Sequence, residues 1–364
     1  MSWAHFLNDG AANYLPGVLP AILVSMNLSV TYAGVFMAAL FLGQALQPLT
    51  GLIADRIGGR ALVVAGLAGT SAGAALIGLM PNYASLLGVL ILTGLCNSLF
   101  HPQALAGVRT IGGRHSGTSI SVFLVGGEIG RGAWPVIATW VVTARGLGDL
   151  WMLSIPALLT LPLLLGAAPS VPPRRLDAAP LRLREHVGPL STLVGFSALR
   201  SIMILSLVTF LPLLWQQRGG SLTGGASFIT VLLLVGIIGN LGGGRLADHV
   251  GLRRVLIAAI AATVVLMAAF LSADGWLMWP LLGLMGIALF ATLPLTILAA
   301  QEILPENRSL GSGVALGFSN ALGALGVLAL GPVADAWGPI VALWAAVSCG
   351  AVAIPLAIAL PKEV

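Results

Sequence analysis

An all-helical membrane protein, with twelve spans folded as two six-helix halves, is what the sequence predicts. Three observations carry that expectation. Apolar residues make up 58% of the 364 and charged residues only 8%, against about 25% charged in an average soluble domain. Twelve stretches reach the roughly 20 mostly apolar residues that cross a bilayer. A ten-residue pattern recurs at corresponding places in the two halves.

The composition excludes several classes at once. A soluble fold could not cover its core with so few charges, and 47 glycines add further small, apolar surface. Disorder, collagen, coiled coil and a disulfide scaffold are excluded as well. The net charge of +5 comes from scattered residues that make no basic stripe, so no nucleic-acid partner is expected. Cys96 and Cys349 lie in apolar runs and read as inert packing residues.

The twelve stretches run over about 3–24, 31–54, 60–79, 84–108, 115–142, 148–168, 189–215, 222–247, 253–272, 275–302, 308–335 and 338–360. Gly and Pro recur inside them, which neighbouring helices in a membrane can accommodate. The first stretch is span-length and carries polar residues, so it reads as a retained helix rather than a cleaved signal. One connection is long. It holds Pro172, Pro173, Arg174, Arg175, Arg182 and Arg184, and it divides the chain into residues 1–168, a linker 169–188 and residues 189–364.

Orientation follows from Lys and Arg. With the N-terminus in the cytoplasm, thirteen of the seventeen fall on the cytoplasmic side and two, Arg145 and Arg218, outside. Arg131 and Arg200 remain within spans. Trp140, Trp151, Trp215, Trp276, Trp279 and Trp337 fall near the outer ends, as an aromatic belt requires. The expectation is a multi-pass protein of the inner membrane with both termini cytoplasmic, acting as a monomer.

The repeat is G-x-x-A-D-x-x-G-x-R. It is carried by Gly51, Ala54, Asp55, Gly58 and Arg60 after span two, and by Gly244, Ala247, Asp248, Gly251 and Arg253 after span eight. Arg114 before span five and Arg308 before span eleven extend the symmetry. Six-span repeats are how many secondary transporters are built, with the substrate between them. Both copies resemble the loop signature of the major facilitator superfamily, and the resemblance covers essentially the whole chain. Three further runs resemble that superfamily's fosmidomycin-resistance branch of bacterial drug exporters: His5 to Asp9, Phe100-His101-Pro102, and Gly112 to His115 followed by Phe123 to Gly127. The resemblance implies a major facilitator fold, alternating access, and export of a small drug-like compound against protons. It also implies that Asp55 faces the start of span eleven and Asp248 the start of span five, latching the cytoplasmic side together with Arg56, Arg60 and Arg253. The bland alternative for each is an ordinary loop residue.

Several intramembrane residues could carry the chemistry. His5, Asp9 and Asn13 share a helix face at i, i+4 and i+8. A carboxylate in a span normally faces a partner or a wet cavity, so Asp9 reads as a proton carrier or as a structural acid. Glu128 and Arg131, at i and i+3, can pair. They form either a static ion pair or a switch in which an anionic substrate group displaces Glu128, helped by proton uptake. Arg suits such a group because its fork binds two oxygens. Arg200 either clamps the substrate from the other half or pairs with Asp9 or Glu128. His101 before Pro102 is a proton relay or a packed histidine.

Gln44, Gln47, Asn97, Gln103, Asn240 and Asn320 supply neutral polar contacts to a substrate or between helices. Trp134 is an aromatic wall or packs on Pro135. Gly126, Gly127 and Gly130 permit close helix approach. No cofactor is expected. Divalent-metal export is the minor transport reading, since His5, Asp9 and His101 are ligand types but no tight spacing supports a site. Uptake by symport uses the same fold. A non-transporting sensor is the reading from another class. No nucleophile elbow, Walker loop or zincin motif points to an enzyme.

Overall fold

The computed structural model describes residues 1–47, 49–50, 53, 60–113, 116–169, 183–305 and 308–361. The side chains at 116–118, 183–185, 308–310 and 316 lie outside that description. Every predicted stretch is helical where described, and no strand occurs among the described residues. Ten helices are long and apolar enough to cross a membrane. The two exceptions are informative. Span one is broken into Ser2–Asn13 and Leu15–Ser25 at Tyr14. Span two is described as the shorter helix Thr31–Gln44.

The break in span one has a local cause. Pro16 opens the second helix, where a missing N–H costs nothing. Tyr14 between the two helices is fully buried and donates its hydroxyl to the Ala74 carbonyl at 2.5 Å, pinning the break to span three. Span four, Tyr83–Gly112, starts on an Asn82 cap that accepts from the Ser85 N–H at 2.9 Å. Pro102 within it cannot serve the Ser98 carbonyl one turn earlier. The Thr50 hydroxyl takes that carbonyl instead, at 2.9 Å.

Small residues bring the helices into backbone contact. Gly126 and Gly130 of span five (Ser116–Arg145) lie against the Ser2 and Phe6 carbonyls, where an added Cβ would come to 2.5 and 2.2 Å. Gly43 and Gly94 join spans two and four in the first half, and Gly239 and Gly286 join spans eight and ten in the second. This matches the small-residue packing that replaces hydrophobic drive within lipid.

The repeated motif has a structural meaning in its second copy. Gly251 sits at φ +93° directly after the helix Leu222–Val250, a conformation only glycine adopts without strain. Arg253 then donates to the Ile358 carbonyl at the end of the last helix, Pro339–Ala359. Arg60 in the first copy donates to the Leu165 and Gly166 carbonyls at 2.7 and 3.0 Å, at the end of Ile155–Ala167. Each motif arginine therefore caps the free C-terminal carbonyls of its own half's sixth helix. The contacts that Arg60 and Arg253 make among the described residues run within a half, because those carbonyls lack intrahelical donors.

The halves meet toward the end of the molecule remote from Arg60 and Arg253. Gly34 abuts the Val327 carbonyl, where a Cβ would come to 2.7 Å, and Gly331 abuts Thr31 at 2.8 Å. The Val30 N–H donates to Asp335 at 3.0 Å, and the Thr230 hydroxyl donates to the Gly132 carbonyl at 2.7 Å.

Candidate functional site

Two polar clusters lie inside this apolar bundle. The first is built on Asp9, held by span one. His5 Nε2 is 3.2 Å from one Asp9 oxygen, His101 Nε2 is 3.1 Å from the other, and the two Nε2 atoms are 3.3 Å apart. The His5 and Asp9 contact was legible from their i, i+4 spacing. His101 arrives from span four. The amides of Asn8 and Asn97 donate to the same Asp9 oxygen at 3.2 and 3.3 Å.

Both imidazoles are oriented from behind. His5 Nδ1 is 2.7 Å from the Phe123 carbonyl, and His101 Nδ1 is 2.9 Å from the Asn97 carbonyl. A carbonyl only accepts, so each Nδ1 carries its hydrogen and each Nε2 is turned toward Asp9. Gly127 makes room for the His5 ring; a Cβ there would lie 2.4 Å from it.

The second set of charges has members on both halves. Arg131 Nη1 donates to Glu128 Oε1 at 3.2 Å, as the spacing predicted. The other Glu128 oxygen is buried without a partner among the described residues. Arg200, from the helix Leu183–Gln217, is 1% exposed. Its Nη2 reaches only the Ser201 hydroxyl, at 3.4 Å, while Nε and Nη1 have no partner among the described residues. The Ser201 hydroxyl donates in turn to Asn320 at 2.8 Å. Arg131 stands within electrostatic reach of Asp9, His101 and Arg200. Arg200 forms no ion pair with Asp9 or Glu128 among the described residues.

The remaining candidates fall in different places. Asn97 belongs to the Asp9 cluster and Asn320 to the Arg200 side. Gln44 is half-buried, with its amide nitrogen unpartnered among the described residues. Asn240 is half-buried on span eight. Trp134 is 4% exposed, donates to the Phe6 carbonyl at 3.3 Å and fills the notch left by Gly10, so in this state it packs within the first half. Asp55 and Arg56 lie outside the described residues, and Asp248 is exposed at the end of span eight. Sequence reasoning passed over Asn8 and Ser201. Their only signal was position, next to Asp9 and next to Arg200.

A helical membrane bundle with buried charges shared between two halves defines a carrier-type protein, and the comparisons agree. Residues 1–327 match the Major Facilitator Superfamily family model, and the chain belongs to that family. An uncharacterised MFS-type transporter, YfnC, of Bacillus subtilis (strain 168) is 26% identical over 349 residues, covering 92% of this chain and 85% of the relative. The fosmidomycin resistance protein of Escherichia coli (strain K12) is 25% identical over 350 residues, with the same two coverages. Among solved structures, a bacterial homologue of the human lysosomal transporter Spinster, inward-facing and occupied, superposes with a TM-score of 0.80. It is 17% identical, over 98% of this chain and 94% of that one. A single-residue mutant of the nucleoside transporter NupG gives 0.79 at 15% identity, over 99% and 98%.

Proposed function

We propose that this protein is a proton-coupled secondary carrier of a small anionic compound, working by alternating access. The observation that carries the proposal is Arg200, a buried guanidinium with two unpartnered nitrogens, within electrostatic reach of Arg131 on the other half. Unpaired buried charge is costly, and an anion held between the two forks removes that cost. A phosphonate, phosphate or carboxylate fits two forks.

Glu128 is the coupling group, because its partner is itself an anion ligand. An arriving anion displaces Glu128 from Arg131. The displaced carboxylate is then buried and unpaired, and it takes up a proton. Proton and anion therefore occupy the same state, which is the logic of symport. Closure at one end, by Val30, Thr31 and Gly34 against Asp335, Gly331 and Val327 of span eleven, supports an inward-facing state with both termini cytoplasmic. Asp248 and the loop of Asp55 then latch the opposite side when the carrier turns over, while Arg60 and Arg253 fix each loop to its own half.

A second reading is export by antiport. The relative named for fosmidomycin resistance favours it. Antiport requires proton and substrate to exclude each other. The two readings part in proteoliposomes with a pH dye inside. Adding fosmidomycin or another small anion outside acidifies the lumen under symport and alkalinises it under antiport. No substrate-dependent change for any anion refutes both.

A further inference from the structure

We propose that His5, Asp9 and His101 form a binding site for one divalent transition-metal ion, such as zinc or cobalt. The inference is independent of the anion reading, which uses Glu128, Arg131 and Arg200. Three features of the first cluster carry it.

The first is donor chemistry. Each Nδ1 is committed to a backbone carbonyl, at Phe123 and Asn97. Two ring nitrogens and one carboxylate therefore face one another, the Nε2 atoms 3.3 Å apart, and one metal ion is within reach of all three residues.

The second is spacing. Ligand atoms about 2.05 Å from a tetrahedral zinc stand about 3.3 Å apart. The two Nε2 atoms are 3.3 Å apart, and with one ligand atom taken from each residue the three all lie within 4.8 Å of one another, close enough for small side-chain shifts to close them on one ion. The third is the outer shell. Metal-bound histidines characteristically donate their other N–H to a carbonyl or carboxylate, and ligating carboxylates are themselves hydrogen-bonded. Here both carbonyls are in place, and Asn8 and Asn97 hold Asp9.

The set of two imidazoles and one carboxylate suits borderline metals over magnesium or calcium. The neighbouring Arg131 does not oppose a dication, since Glu128 covers its charge at 3.2 Å. All three ligands come from the first half, on spans one and four, so the ion stays bound as the halves move. His101 is the most exposed of the three, with 21% of its side chain accessible. The fourth coordination position therefore opens on its side.

The test uses tag-free, chelator-stripped full-length protein in detergent. Titration with cobalt(II) is expected to give one equivalent bound and the strong visible bands of a four-coordinate N/O site. Zinc is expected to displace the cobalt and raise thermal stability reversibly with EDTA. Asp9→Asn and His101→Gln, checked for monodispersity, are expected to lose more than about 100-fold in affinity, beyond the roughly 10- to 100-fold typical of losing an outer-shell partner. A wild-type protein that gives no such bands and no EDTA-reversible stabilisation overturns the proposal, whatever the variants do. Retention of the bound equivalent in both variants overturns it as well.

Discussion

Replacing Arg200 with Met separates a ligand-binding arginine from a structural one by the sign of its effect on stability. The side chain is 1% exposed, and two of its nitrogens lack partners among the described residues. An unsatisfied buried donor costs about 1–3 kcal/mol, so two cost about 2–6 kcal/mol in the anion-free protein. Met keeps most of the stem and its packing while removing the charge. Exchange of buried charge for well-packed apolar groups is often neutral or stabilising by about 1–4 kcal/mol. Anion-free Arg200→Met is therefore expected to match or exceed the wild type in thermal unfolding. It is also expected to lose the stabilisation that a substrate anion gives the wild type. The assay is intrinsic-fluorescence melting in detergent, with and without a phosphonate panel. If Arg200 instead anchors the fold, its removal costs about 3–5 kcal/mol, as for a broken buried pair. A melting temperature well below wild type, with anion stabilisation intact, refutes the reasoning.

The other predictions use the same contacts. Glu128→Gln removes the titrating group but keeps a hydrogen-bonding partner for Arg131, so anion binding should persist while its pH dependence disappears; binding measured across pH checks this. Gly34→Ala places a methyl 2.7 Å from the Val327 carbonyl. It should shift the population toward opening at that end, read as a longer distance between spin labels at Ser29 and Trp337. Gly10→Ala pushes a Cβ into the Trp134 indole, at 1.4 Å in the present packing. Overpacking of this kind costs about 1–3 kcal/mol, and the second change Trp134→Phe should restore part of the lost melting temperature.

The architecture was legible because membrane helices announce themselves by length and apolarity, independent of tertiary detail. The break at Tyr14, which a length rule does not register, follows from Pro16 and is pinned by a hydroxyl reaching span three. Contacts within one helix were legible too: His5 with Asp9, and Glu128 with Arg131, follow from spacing alone. Contacts between helices were not, since sequence does not give the register of one span against another. His101 joining Asp9 and Arg200 lacking a carboxylate are both of that kind. The packing partner of Trp134 was hidden for a related reason. The notch that receives it is made by Gly10, 124 positions away, and an absent side chain leaves no mark that identifies its partner. The caps that Arg60 and Arg253 place on the helix ends beside them were likewise hidden, since they too are contacts between helices.

The central claim is that a proton and an anion move together through the Glu128, Arg131 and Arg200 cluster. Its most direct test is lumenal pH in proteoliposomes under an imposed anion gradient. The account predicts acidification on adding the transported anion outside, abolished in Arg200→Met, and anion transport uncoupled from pH in Glu128→Gln. Substrate-driven proton movement that persists unchanged in both variants contradicts it.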